Sequence, residues 1–293
     1  MPEQVARRPV FTLGGRTFRW ADVVADARLD GSWAELEEST RRGLAALGDA
    51  DAAGERPARD EVADAGNRFR YAHDLLAGEE LNDWLDHWHL TPADWRAYVE
   101  RDLARARASG TGAASDDEVA DAVWAEAVCS GFLERLAERV AGERALELAG
   151  GMEDATEAAI AHELELHRLE WLRLEGQTLS VPLEDTAREA ALCVREDGRA
   201  LDDVARDCGT QALPLNVFAG DLDPDLSSAL VAAREGELVG PLRYDTGFAL
   251  VLVERKTPPE QDDPAARRRA QERIASRAVE RAVLEHVEWH ERL

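Results

Sequence analysis

Chemistry in this chain would have to come from three cysteines and seven histidines. Cys208, in Arg206-Asp207-Cys208-Gly209, is the candidate nucleophile. A thiol attacks as the thiolate, which needs a neighbouring base or cation to form. No histidine stands close to Cys208 in the sequence, so its competing reading is a small buried hydrophobe. His286 and His290, four apart on an expected final helix, would share a face and could chelate. Two ligands are too few, and Glu285 and Glu291 make that face a solvated charged one. His162-Glu163 and His167 differ from the His-Glu-x-x-His zinc motif: a spacing of five swings the second ring off the first one's face. His87 and His89 flank Trp88 and diverge. With no Gly-rich phosphate loop and no Gly-x-Ser-x-Gly elbow, neither a metal nor a cofactor is expected.

The elements that would position these residues are mostly helical. Val10–Leu13 and Thr17–Arg19 flank Gly14-Gly15, a hairpin signal, and Trp20 opens a helix. Helical spacing runs over Trp33–Leu47, then Gly48–Arg59 reads as a loop, and Asp60–Leu76 and Glu79–His89 return to helix. Thr91 caps a helix with Pro92 at its first position. After a break at Ser109–Ser115, acid at Asp116-Asp117-Glu118 starts a helix reaching Ala149, since the positive helix end favours carboxylates. Gly150-Gly151 breaks the pattern again. Glu153–Leu166 is expected as helix, Leu169–Leu174 as a strand, and Pro182–Arg195 and Leu201–Asp207 as helices. Pro258-Pro259 and the polar run to Pro264 form a linker, followed by one long helix over Ala265–Leu293.

Between these lies Leu226–Glu254, LSSALVAAREGELVGPLRYDTGFALVLVE. It reads as a short helix, a turn at Glu235-Gly236-Glu237, a strand entering at Pro241, a turn at Asp245-Thr246-Gly247, and a buried strand at Phe248–Val253. The order helix, Gly-Glu turn, Gly-Pro, then Thr-Gly-aromatic and a β-branched run resembles the C-terminal half of a parvulin-type (PpiC-like) peptidyl-prolyl isomerase domain. The hairpin feeding a helix resembles the start of SurA-type and PrsA-type chaperones.

That resemblance implies a proline pocket and a set of polar groups around the amide, whose rotation barrier is about 18–20 kcal/mol. In the family these groups are two histidines, on the first strand and directly after the Gly-aromatic pair of the last, with a cysteine or aspartate near the third helical segment. Cys208 stands at the cysteine position, and Phe218, Leu222 and Leu226 fall where pocket residues would lie. Phe248 and Ala249 follow Gly247, and Ala249 occupies the histidine position with no polar atom. Leu169–Leu174 has no histidine either, His167 being just outside it, and Ala212–Val217 replaces the usual Gly-Gly-Asp-Leu-Gly loop. A scaffold that keeps the pocket and lacks the polar groups points to a binder.

Composition narrows the partners. Hydrophobic residues make up 45% and charged ones 32%, a soluble globular balance. The net charge of -25, from 60 acidic and 35 basic side chains, repels phosphate backbones and anionic lipid, so neither nucleic acid nor membrane is expected. An odd set of scattered cysteines and no apolar stretch of signal-peptide length point to the cytoplasm. The eight tryptophans serve either a core or a groove for extended peptide.

The expected class is α+β and mostly helical. Residues 1–150 form a helical chaperone-like domain with an N-terminal hairpin, and residues 151–258 a parvulin-like domain. Residues 259–293 supply a linker and a helix that joins the helical domain. The expected function is binding of peptide or unfolded chain, including a precursor peptide held for maturation enzymes. The alternatives are an active isomerase using Cys208, and a structural subunit whose terminal helix joins a partner or a second copy in a homodimer.

Overall fold

The computed structural model describes residues 1–107, 114–151, 155–244 and 247–291. The chain divides into two compact units, Met1–Met152 with Ala278–Leu293, and Glu153–Arg277. The expected break at Ser109–Ser115 and the turn at Asp245-Thr246 fall largely or wholly outside the described residues. The class is mostly helical α+β.

In the first unit, helix α1 (Glu3–Ala6) leads into strands β1 (Pro9–Leu13) and β2 (Arg16–Arg19). Gly14 and Gly15 turn between them at φ 57° and 79°, a left-handed pair that only glycine adopts without strain. Helices α2 (Trp20–Asp30), α3 (Ser32–Ala53), α4 (Arg59–Ala72), α5 (Gly78–His87), α6 (Pro92–Arg107), α7 (Asp116–Cys129) and α8 (Phe132–Leu148) follow. Thr91 Oγ1 accepts the Asp94 N–H at 3.2 Å while Asp94 accepts the Thr91 N–H at 2.8 Å, the reciprocal cap expected for α6. Ser115 and Glu118 make the same exchange at the start of α7.

Four expectations in this unit are corrected. The loop placed at Gly48 is helix to Ala53, because the alanine-rich stretch costs a helix little and the first left-handed residue is Gly54 at φ 72°. The α4 helix stops at Ala72, short of Leu76, with Asp74 at φ 56°. The single helix expected over Asp116–Ala149 is two, split at Ser130-Gly131 with Gly131 at φ 69°. The final helix, α13 (Pro264–His286), ends seven residues early and the chain becomes strand β7 (Val287–Trp289). It pairs antiparallel with β1, Phe11 opposite Trp289 and Leu13 opposite Val287, giving the order β2-β1-β7. The Phe11 and Trp289 rings meet edge to face at 5.6 Å. β7 therefore owes its existence to a partner strand some 280 residues away in sequence.

Behind this sheet, Trp20, Phe11, Leu85 and Leu133 are fully buried in one core with Trp88 and Trp124. Trp124 Nε1 donates to the Trp88 carbonyl at 2.9 Å. Glu291 accepts from Trp20 Nε1 at 2.8 Å and sits 2.5 Å from His87 Nε2, fastening the strand end to α2 and α5.

In the second unit, α9 (Glu157–Leu166) precedes β3 (Arg173–Val181), α10 (Glu184–Arg195), α11 (Leu201–Asp207) and β4 (Leu213–Phe218). A 3-10 turn at Ala219–Asp221, α12 (Pro224–Ala232), β5 (Glu237–Tyr244), β6 (Gly247–Thr257) and the first part of α13 complete it. The sheet is antiparallel in the order β4-β3-β6-β5. The strand expected at Leu169–Leu174 starts at Arg173 and runs to Val181. Leu169–Leu172 is instead a turn in which the Trp171 N–H donates to the His167 carbonyl at 2.8 Å. Ala212–Val217, expected as loop, is largely β4, an edge strand that tolerates Pro214. β5 starts at Glu237, ahead of Pro241, and carries a bulge between Val239 and Leu242.

Asp263 caps α13. Its carboxylate accepts the Ala265 N–H and the Arg173 guanidinium, each at 2.8 Å. Burial pushes this carboxyl up, but the Arg173 guanidinium and the Ala265 and Ala266 amides outweigh it and hold it below the ordinary value. Folding therefore stabilises the ionised form. That contribution is complete above the unfolded-state pKa and disappears as pH falls through the lower folded-state value. Asp263→Ala is expected to cost about 1 kcal/mol at neutral pH, the worth of an N-cap, and close to nothing at a pH below the folded-state value. Urea melts of both chains across the acid range check this. An equal deficit at all pH values would contradict it.

Candidate functional site

Side chains alternate between the two faces of a strand, so the register of β3 and β6 decides which residues can meet. On one face Leu179, Val181 and Leu250 pack with Ala187, Ala190 and Ala191 of α10 and Leu201 and Val204 of α11. On the other, Leu174, Val251 and Val253 pack with Leu230 of α12 and Leu172.

This separates the residues expected to form one pocket. Cys208 and Phe248 lie half-buried against the α10–α11 core. Ala249, which is buried, shares the opposite face with Val251, and stands across from Ser180 as Val251 does from Thr178. Leu222 and Leu226 are on that second face too, half-buried against Leu174 and Val253. Phe218 belongs to neither. It is buried with Ile160, Leu164, Trp171 and Ala270, between the guanidinium groups of Arg173 and Arg269 at 4.6 and 4.2 Å from its ring. Leu222, Leu226 and Ala249 are therefore brought to one face, and Phe218, Phe248 and Cys208 are not. A sequence signal for part of this existed: Phe248 and Ala249 are consecutive strand residues and cannot point the same way.

Cys208 ends α11, and its thiol pKa is raised, first by burial and then by the Asp207 carboxylate. Cys193, Glu189 and Arg199 are the other groups acting on it. A thiol held protonated in such surroundings is a poor nucleophile.

His167 is not on the sheet. Its ring stacks on Trp171 at 4.6 Å and its Nδ1 lies 2.7 Å from a Glu170 carboxylate oxygen. His286 and His290 do not share a helical face, because the helix ends at His286 and His290 Nε2 bonds Thr12 Oγ1 at 2.7 Å. Among the described residues no group of three or more His, Cys, Asp or Glu is placed to hold a metal.

The face bearing Ala249 is a shelf rather than a cleft. Ala249 and Val251 are buried beneath it, Leu222 and Leu226 are half-buried at its margin, Thr178 and Ser180 provide hydroxyls, and β4 adds Leu213, which is 50% exposed. In the first unit Trp20, Trp33, Trp88 and Trp124 are core residues, whereas Trp95 lines a cavity between α4 and α6. No pattern in the sequence located that cavity; its only trace is a glycine, Gly66, inside a helix.

No family model matches the chain, and no curated protein sequence does. Solved structures with which it has some likeness include the foldase protein PrsA of Lactococcus lactis, at 12% identity over 97% of this chain and 95% of that one, with a TM-score of 0.33. The peptidylprolyl isomerase PrsA of Bacillus anthracis is 11% identical over 76% of this chain and 88% of its own, with a TM-score of 0.30. A SurA-like chaperone structure from Campylobacter jejuni, from work on PEB4 and Cj1289, is 10% identical over 98% and 100%, with a TM-score of 0.23. Scores this low leave the function to be argued from the chain's own residues.

Proposed function

We propose that this chain is a chaperone-like binder of extended peptide or unfolded chain that does not isomerise what it holds. The observation that supports this is the composition of the Ala249 face. A methyl group occupies the position at which the parvulin resemblance implies an imidazole, and its neighbours across β3 are hydroxyls and aliphatics. The exposed Leu213 and half-buried Leu222 and Leu226 can take apolar side chains out of water, but this face offers no imidazole to assist rotation of an amide. Cys208, the other group an isomerase would use, packs on the opposite side of the sheet. A precursor peptide presented to maturation enzymes is one occupant of this kind.

A protease-coupled assay on X-Pro peptides is expected to show no acceleration, while fluorescence anisotropy detects binding of the same labelled peptides. Leu213→Asp puts a charge on an exposed part of the shelf and is expected to weaken that binding about tenfold, the effect of an unfavourable 1.4 kcal/mol. Acceleration that disappears in Cys208→Ala would establish the isomerase reading instead. Peptide binding indifferent to Leu213→Asp would remove the shelf from the account.

A further inference from the structure

The cavity between α4 and α6 holds 350 Å³, room for one large side chain, and opens to solvent. Its walls are Val62, Val99, Leu81 and the Trp95 ring. Gly66 makes it possible, since a Cβ there would come within 3.0 Å of the edge of that ring. The Trp95 Nε1–H is buried with no acceptor. A buried donor without a partner costs about 1–3 kcal/mol.

The polar lining has one sign. Arg59, Arg70 and Arg96 border the cavity and no Asp or Glu does, in a chain whose net charge is -25. Arg59 makes no ion pair or hydrogen bond among the described residues. Among the described residues Arg70 bonds main-chain oxygens alone, those of Leu75 at 3.1 Å and Leu76 at 2.7 Å, and makes no ion pair. Arg96 gives its Nε to Glu100 at 2.9 Å. Tyr71, one helical turn from Asn67 of the lining, is 72% exposed, and Leu76, whose carbonyl accepts from Arg70, is 64% exposed.

We propose that this cavity captures the carboxyl-terminal residue of a peptide whose last side chain is apolar. The side chain fills the cavity and the terminal carboxylate meets Arg59 and Arg70, guanidinium being the side chain whose fork matches a carboxylate. The preceding residues run over Tyr71 and Leu76, a surface that a small free acid would leave unused. This site is separate from the shelf of the other unit and does not depend on it.

The test uses the full chain and a fluorescein-labelled peptide ending in leucine, followed by anisotropy. Amidation of the terminal carboxylate is expected to weaken binding on the order of tenfold or more, as loss of charge-assisted hydrogen bonds does. Arg59→Glu, at an exposed position, should do the same, and Ala63→Trp should block the cavity, with circular dichroism confirming that both variants fold. Raising the salt concentration should weaken the parent complex, since Arg59 is exposed. Leu213→Asp should leave this binding unchanged, which separates the proposal from that for the shelf. Equal affinity for acid and amide, or indifference to both cavity variants, overturns it. So does competition by N-acetyl-leucine as tight as the peptide's own binding, which would make the cavity a site for small acids.

Discussion

Gly176→Ala is expected to unfold the Glu153–Arg277 unit. Gly176 lies on β3, between β4 and β6, at the point where the β3–β6 register shifts. An added Cβ would stand 1.9 Å from the Leu252 carbonyl oxygen and 3.1 Å from the Glu254 amide. Both are backbone atoms of the neighbouring strand, so no rotamer change relieves the clash. The ladder must open where Leu174, Val251 and Val253 hold one core and Leu179 and Leu250 the other. The loss should exceed about 4 kcal/mol, in the class of strain that a single side chain seldom produces. Hydrogen exchange read peptide by peptide should show protection lost across β3, β4 and β6. A variant whose β6 amides stay as protected as in the parent would show that β3 and β6 can part at Gly176 without loss of the sheet, and would overturn this prediction.

Glu126→Ala is expected to cost about 3–5 kcal/mol in the other unit, because it strands buried cations. Glu126 of α7 is 2% exposed and accepts from Arg105 at 2.7 Å and from Arg101 at 3.4 Å, both on α6. Arg101 is itself 4% exposed, and its Nε already has no acceptor. Arg105 retains Asp102 and Ser39 Oγ, so most of the loss falls on Arg101. Glu126→Gln, which keeps an acceptor but no charge, should fall between parent and alanine variant. Replacing all three residues by apolar ones of similar volume should recover much of the stability, since burying the charges was costly to begin with. Burial, and secondarily Glu126, pushes the Cys129 thiol up, so its alkylation reports opening of this core alongside urea melts. A Glu126→Ala loss below about 1 kcal/mol would show that water reaches Arg101 and the network is not closed.

Signals confined to a few neighbouring residues were legible before any fold was known. Gly14-Gly15 needed only its own backbone geometry, Thr91-Pro92 only the first turn of α6, and Asp116–Glu118 only the dipole of α7. The apolar run Phe248–Val253 is strand because it is buried on both faces, which continuous hydrophobicity announces. Elements that depend on a distant partner were not legible. β7 was assigned to helix because Val287-Glu288-Trp289 suits a helix locally, and β1 is what extends it. β4 covers the stretch that stands in place of the family's loop, and Pro214 is tolerated there because the strand is an edge.

The site divides the same way. Residue types told which chemistry was missing: an alanine after Gly247-Phe248 and a cysteine without a histidine near it in sequence are facts of composition and order. Which residues meet was decided by register and by helix approach. β-sheet alternation sent Phe248 to the face that α11 covers, where Cys208 lies, and Ala249 to the other, and the packing of α9 and α13 withdrew Phe218 from both. The α4–α6 cavity arises because Gly66 lets a helix approach Trp95, and a separation between two helices is a property of no single stretch of chain. Local sequence fixes backbone preference within a turn or two, whereas convergence of side chains from separate elements follows from how their apolar faces are buried together.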